Sequence, residues 1–149
     1  MIENLAIRAY AASDEAALSN IWWRASLAAH SFLGEPLLRE QRKLVEQVYL
    51  PGAETYLAVV ENNPAAFIGL LDTFIGALFV DPDFARHGIG CSLVEHALTL
   101  KPQLELEVYA ANEIACAFYA ALGGVEIGRR PTDDNNLPFE LIRMRIVRR

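Results

Sequence analysis

The stretch from Gly76 to Cys91, Gly-Ala-Leu-Phe-Val-Asp-Pro-Asp-Phe-Ala-Arg-His-Gly-Ile-Gly-Cys, constrains this chain more than any other. It predicts an apolar strand ending at Val80, a proline-containing turn, and a loop with glycines at 88 and 90. Leu93, Val94, Ala97 and Leu98 follow at helical spacing, so the loop opens directly into a helix. Such a strand, loop and helix N-terminus gather unpaired backbone N–H groups around one point, which suits an anion. Gly88 and Gly90 remove side chains that would keep a phosphate away from that backbone. A phosphate-bearing ligand is the first expectation. The alternative is an ordinary turn in which the glycines only relieve strain.

With 149 residues, 53% of them hydrophobic, the chain can bury a core without staples. It reads as a single domain, residues 1–149, of the α/β or α+β class. A net charge of −6 without a basic stripe weighs against nucleic acid as a partner. The same charge opposes an anionic cofactor at long range, so local backbone dipoles and Arg86 would have to hold one. Cys91 and Cys116 make neither a disulfide framework nor a metal-like pair, so no metal is expected and a reducing, cytoplasmic setting is. Met1-Ile2-Glu3-Asn4 lacks the pattern of a signal peptide. The apolar run from Pro64 to Val80 contains Asp72 and two glycines, and reads as two adjoining buried strands, so no membrane partner is expected.

Leu5 to Tyr10 alternates as a strand does. A helix is predicted from Ser13-Asp14-Glu15, with Ser13 as cap and Leu18, Ile21 and Trp22 on its apolar side. A second helix, Pro36 to Val48, carries Leu37, Leu38, Leu44, Val45 and Val48 inward and stops at Pro51-Gly52. Strands follow at Tyr56 to Val60, Ala66 to Leu71 and Ile75 to Val80. Beyond the glycine loop and its helix come a strand at Leu104 to Val108 and a helix at Asn112 to Leu122. Asn112 is the expected cap of that helix and Gly123-Gly124 its stop. Val125 to Arg129 and Phe139 to Val147 are the last strands, with Arg143 and Arg145 on a solvated face.

Two known phosphate loops do not fit. Leu93 stands where a dinucleotide fingerprint needs a third small residue, and Gly90-Cys91-Ser92 lacks the lysine of a Walker loop. The spacing Asn112-x-x-Ala115-x-x-Phe118-Tyr119-x-x-x-Gly123, taken with Ala85-Arg-His-Gly-Ile-Gly90, resembles the two acetyl-CoA motifs of the GNAT (Gcn5-related) N-acetyltransferase superfamily. Element order from Leu5 to Val147 is similar as well. A narrower resemblance, through Trp22, His30, Phe32 and Phe79-Val-Asp-Pro-Asp83, is to the small bacterial YjaB-type members. Two departures stand out: Ala85 where the superfamily usually has Gln or Arg, and Gly124 where it usually has Phe.

The resemblance implies a mixed, mainly antiparallel central sheet with helices on both faces, splayed between the fourth and fifth strands. It implies acetyl-CoA as co-substrate, with its pyrophosphate on the backbone of Ala85, Arg86, His87, Gly88, Ile89, Gly90 and Cys91. Leu78, Phe79 and Val80 would run beside the pantetheine, and Asn112, Ala115 and Phe118 would complete the cofactor side. Tyr119 would protonate the departing thiolate, since a phenol with a pKa near ~10 carries its proton at neutral pH. The alternative is that Phe118 and Tyr119 are both core aromatics.

An amine with a pKa of about 10.4 must lose a proton before it attacks. Glu107, acting through water, is one candidate base and His30 another. The bland reading of Glu107 is a solvent-facing residue sharing its face with Glu105; that of His30 is a histidine ordering its loop. Trp22, His30 and Phe32 would border the acceptor, although Trp22 also fits the core. The implied reaction is direct acetyl transfer to a primary amine, on a protein or peptide lysine or a small amine, without a covalent enzyme intermediate. A non-catalytic acyl-CoA-binding or sensing module is the other reading, and a homodimer is left open.

Overall fold

The computed structural model describes residues 4–148, so the leader expectation at Met1 to Glu3, and Arg149, lie outside the described residues. The backbone groups into two compact units. One holds Met1–Asp72 and Gly76–Glu95, the other Thr73–Ile75 and His96–Arg149. The expected mixed, mainly antiparallel α/β architecture is present. No helix among the described residues is long and apolar enough to cross a membrane.

In the first unit the strand order is β1 (Leu5–Ala9), β2 (Glu54–Val60), β3 (Asn63–Leu71) and β4 (Phe74–Val80). β1 and β3 both pair antiparallel with β2, from Leu5 opposite Val60 and from Glu54 opposite Leu70. Glu61 and Asn62, both at positive φ (50° and 68°), turn β2 into β3, a tight turn whose twist matches its strands. Residues 65 to 70 of β3 are buried without alternation, as expected of a strand covered on both faces.

Helix α1 (Glu15–Ala29) sends Leu18, Ile21 and Trp22 into a core with Leu38, Val45, Leu50, Leu57 and Phe67. Its predicted cap, Ser13, lies inside a 3-10 turn at Ala12–Asp14. Asp14 organises that entry instead, accepting from the Ala11 N–H at 2.8 Å and from both ends of the Arg8 fork at 2.8 Å.

The second helix departs from its predicted face. It runs as α2 (Glu35–Leu44), widens into a π turn at Val45–Tyr49 and closes as α3 (Leu50–Gly52), so Pro51-Gly52 belongs to its last turn. The π turn carries one residue more than an α turn. Val45 and Leu50, five apart, therefore share the buried side, while Leu44 and Val48 are 45% and 52% exposed.

The second unit takes up residues 73–75 and follows the order β4, β5 (Gln103–Tyr109), β7 (Leu141–Val147), β6 (Val125–Arg130). β4 and β5 are parallel, in two rungs, Phe74 with Glu105 and Ile75 with Leu106. The other pairings are antiparallel, with a bulge between Glu126 and Gly128. Leu104, Leu106 and Val108 face the core with Ile146 and Met144, which leaves Glu105 and Glu107 on the other face beside Arg145 and Arg143.

Helix α4 (Ile89–Leu100) follows the glycine loop, and helix α5 (Glu113–Ala121) starts at the predicted cap, where the Asn112 side chain accepts from the Ala115 N–H at 3.1 Å. Its end is equally local in origin. Gly123, at φ 89°, donates to the Ala120 carbonyl, and Gly124 donates to that of Tyr119, which is the Schellman pattern.

Candidate functional site

The candidate residues divide between the units. Trp22, His30, Phe32, Leu78 to Val80 and Ala85 to Cys91 belong to the first, whereas Glu107, Asn112, Ala115, Phe118 and Tyr119 belong to the second.

In the first unit β4 ends at Val80, and a 3-10 turn, Pro82–Phe84, leads to the loop. Arg86 and Gly88 sit at φ 66° and 77°, left-handed positions that flank His87. Alternation of this kind turns successive N–H groups toward one side. The Ser92 N–H is taken by the Gly88 carbonyl at 3.0 Å. Among the described residues the amides of Arg86 to Cys91 donate to no protein group, and they stand at the positive end of the α4 dipole. Residues 85 to 88 are exposed, and a side chain at Gly88 would meet nothing within 4 Å. Backbone donors gathered in this way can receive a diphosphate.

Phe79 packs edge-on against Trp22 and His30, with ring centroids 6.2 and 6.3 Å away, and His30 meets Phe32 at 5.9 Å. Trp22 is 6% exposed, so it backs Phe79 from within the core. His30 caps the C-terminal end of α1, where its N–H donates to the Ser26 carbonyl at 2.7 Å. Burial pushes its imidazole below the ordinary 6.5, which keeps it neutral at pH 7. His87 is exposed, while His96 is half-buried.

In the second unit Tyr119 is 8% exposed and packs edge-on to the half-buried Phe118, ring centroids 5.1 Å apart. Only Tyr119 of the two is a core side chain. Among the described residues its hydroxyl has no hydrogen-bond partner, and burial raises its pKa well above the ordinary 10.0. It is a phenol that holds its proton and has that proton to give. Glu107 is not the free solvent-facing acid of the bland reading. Its carboxylate is gripped by the Arg130 fork, and Arg130 also reaches Asp134 at 2.7 Å. Arg143 and Arg145, expected on a solvated face, are half-buried and paired with Glu105 at 2.9 and 3.3 Å.

Sequence reasoning missed three anchoring residues: Arg130; Asp133, which is 3% exposed and accepts from the Tyr109 hydroxyl at 3.0 Å; and Asp81. Only Asp81 left a local signal, an acid just before the proline of a turn. Burial pushes the thiols of Cys91 and Cys116 up, so neither is a ready thiolate nucleophile. No group of residues suited to a metal ion occurs among those described. A concavity of about 480 Å³ in the second unit, lined by Leu122, Val125, Ile127 and Val147 among others, contains none of the candidate residues.

Residues 15–123 match the sequence model of the Acetyltransferase (GNAT) family. The chain is 39% identical over 125 residues to the peptidyl-lysine N-acetyltransferase YjaB of Salmonella typhimurium, covering 83% of this chain and 86% of that one. The solution structure of apo-form YjaB from Escherichia coli superposes with a TM-score of 0.88 at 36% identity, over 96% of this chain and 97% of that one. The PaiA N-acetyltransferase of Thermoplasma acidophilum, solved in complex with coenzyme A, shares the fold at a TM-score of 0.77 and 14% identity, over 94% and 98% of the two chains.

Proposed function

The chain belongs to the acetyltransferase (GNAT) family, and from that premise we propose that its acceptor is the side-chain amine of a peptide or protein lysine. It is an acetyl-CoA-dependent N-acetyltransferase. The lysine acceptor is supported by the 39% identity to a relative named for that activity. The acidic net charge of −6 also favours a cationic acceptor over an anionic one.

In this reading the amides of Arg86 to Cys91 hold the diphosphate, with the α4 dipole behind them. Leu78 to Val80 offer backbone alongside the pantetheine, as an added strand would meet it. Asn112, Ala115 and Phe118 support the cofactor from α5. Acetyl-CoA supplies the activated acetyl group as a thioester. Glu107 accepts the proton of the ammonium through a water, leaving a neutral nitrogen to attack the acetyl carbonyl. The carbon–nitrogen bond forms and the carbon–sulfur bond breaks; Tyr119 gives its proton to the sulfur, and the nitrogen gives its surplus proton to the phenolate left behind, which yields the neutral amide and restores Tyr119. The neutral His30 and Phe32 border the acceptor with Phe79.

The observation that carries the reading is Tyr119, a protonated buried phenol without a protein partner among the described residues. The test is thiol release from acetyl-CoA against lysine peptides, their Nα-blocked and Nε-blocked forms, and small polyamines. Release that needs a free Nε amine on a peptide supports the proposal. Release with polyamines alone moves the acceptor to small amines.

The family match crosses both compact units, which supports treating residues 1–149 as one catalytic domain. A cytoplasmic location is supported by the two half-buried free thiols. A homodimer, for which the exposed strand β6 offers Val125 and Ile127, is tested by sedimentation.

A further inference from the structure

We propose that Arg24, on the face of α1, is a positioning residue for the diphosphate loop and sets the affinity for acetyl-CoA through Asp81. This rests on the reading that the amides of Arg86 to Cys91 hold the diphosphate.

Asp81 follows β4 directly and is 8% exposed. Its N–H donates to the Ala65 carbonyl of β3 at 2.8 Å. Its Oδ1 accepts from the Asp83 N–H at 2.9 Å, which fixes the start of the Pro82–Phe84 turn. Both carboxylate oxygens accept from Nη1 of Arg24, at 2.9 and 2.7 Å, and Nη2 of the same guanidinium lies 3.2 Å from Asp83. Asp81 thus joins α1 and the turn through its carboxylate and β3 through its N–H.

Two residues upstream, Phe79 packs on Trp22 of α1 and on His30 at its end. Helix α1 therefore grips the chain at Phe79 and again at Asp81. Downstream, residues 85 to 88 are exposed, and among the described residues Arg86 to Gly88 donate no backbone hydrogen bond to the protein. Between Ala85 and α4 the hydrogen bonds among the described residues are those the Gly88 carbonyl accepts from the Ser92 N–H at 3.0 Å and the Ser92 Oγ at 3.1 Å, at the α4 side, so the loop inherits its position from its two ends. The buried Ile89 and Gly90 fix the far end, and the Arg24–Asp81 pair fixes the near one.

The Arg24 side chain is 45% exposed, and an ion pair that open to water adds little to stability. Its effect is geometric. Donors aimed at a diphosphate lose binding when they shift by a fraction of an ångström.

The test uses the full chain, with coenzyme A binding measured by calorimetry and acetyl-CoA kinetics by thiol release. Arg24→Gln is expected to weaken binding and raise KM for acetyl-CoA on the order of tenfold, with kcat at saturation within about twofold. Arg24→Lys, which keeps the charge and loses the fork, should fall between. Asp81→Asn should reproduce the KM effect, and in Arg24→Gln/Asp81→Asn the two losses should not add. Gly88→Val tests the parent reading separately. If Gly88→Val weakens binding while Arg24→Gln binds as tightly as wild type, the Arg24 proposal falls and the loop reading stands, whatever the melting temperature does. If Gly88→Val also binds as tightly as wild type, both fall.

Discussion

Arg130 lies along the carboxylate of Glu107 in a two-point contact, Nε 2.8 Å from Oε2 and Nη2 2.9 Å from Oε1. The pair spans from β6 to β5 across β7, although the residue opposite Glu107 in the ladder is Arg143. A carboxylate has about four lone-pair positions, so such a clasp leaves room for a water on the far side of each oxygen. Glu107 is thus oriented by the clasp, with its side chain 20% exposed.

Glu107→Gln should lower kcat about 10²-fold with KM for acetyl-CoA nearly unchanged. Arg130→Gln should lower kcat by a smaller factor, on the order of tenfold, because orientation is lost while the acid remains. Steady-state kinetics at saturating acetyl-CoA read both. Wild-type turnover in Glu107→Gln would move the base elsewhere, with His30 next in line.

Tyr119→Phe removes the proposed proton donor and leaves the ring. The expected result is a fall in kcat of about 10²-fold with coenzyme A binding unchanged. Because burial raises the Tyr119 pKa above 10.0, the phenol stays protonated through that pH. An alkaline limb in the wild-type rate profile near pH 9 to 10 would therefore belong to another group. Profiles of both proteins over roughly pH 6 to 10 check this.

Burial lowers the His30 pKa from 6.5, so the folded state resists a proton that the unfolded chain accepts. The resulting stability is complete above pH 6.5 and is lost as pH falls through the lower folded-state value. Urea midpoints should drop between about pH 6.5 and 5 more steeply for wild type than for His30→Gln. Equal slopes for the two proteins would remove this effect.

A Cβ at Gly124 would lie 2.7 Å from the Tyr119 carbonyl oxygen, the same oxygen that accepts the Gly124 N–H at 2.9 Å. The Phe usual here in the superfamily does not fit this backbone. Gly124→Ala should cost about 1–3 kcal/mol in chemical denaturation, since the obstacle is main chain and cannot rotate away. It should also lower kcat several-fold, because the residue displaced is Tyr119.

What the sequence disclosed was local. The strand, glycine loop and helix around Arg86 were legible because glycine spacing and helical periodicity sit within a few positions of each other. The Asn112 cap and the Gly123-Gly124 stop were legible for the same reason. The face of the second helix was not, because a π turn shifts the register without marking the composition. Nor were the pairs that organise the candidate site. Glu107 and Arg130 are 23 positions apart, and Arg24 and Asp81 are 57 apart, so each depends on which strands and helices become neighbours. Trp22 fitted both wall and core, and burial assigned it to the core.

The widened turn at Val45–Tyr49 leaves the second helix with a spare residue. Removing one position from 46 to 48 would set Val45 and Leu50 four apart, where an ordinary α-helix stacks them on one side. Adding a position would instead rotate Leu50 away from the core by about 100°. The chain can thus shorten here without repacking Leu38, Val45 or Leu50 but cannot lengthen, so this seam accepts a codon loss and rejects a codon gain.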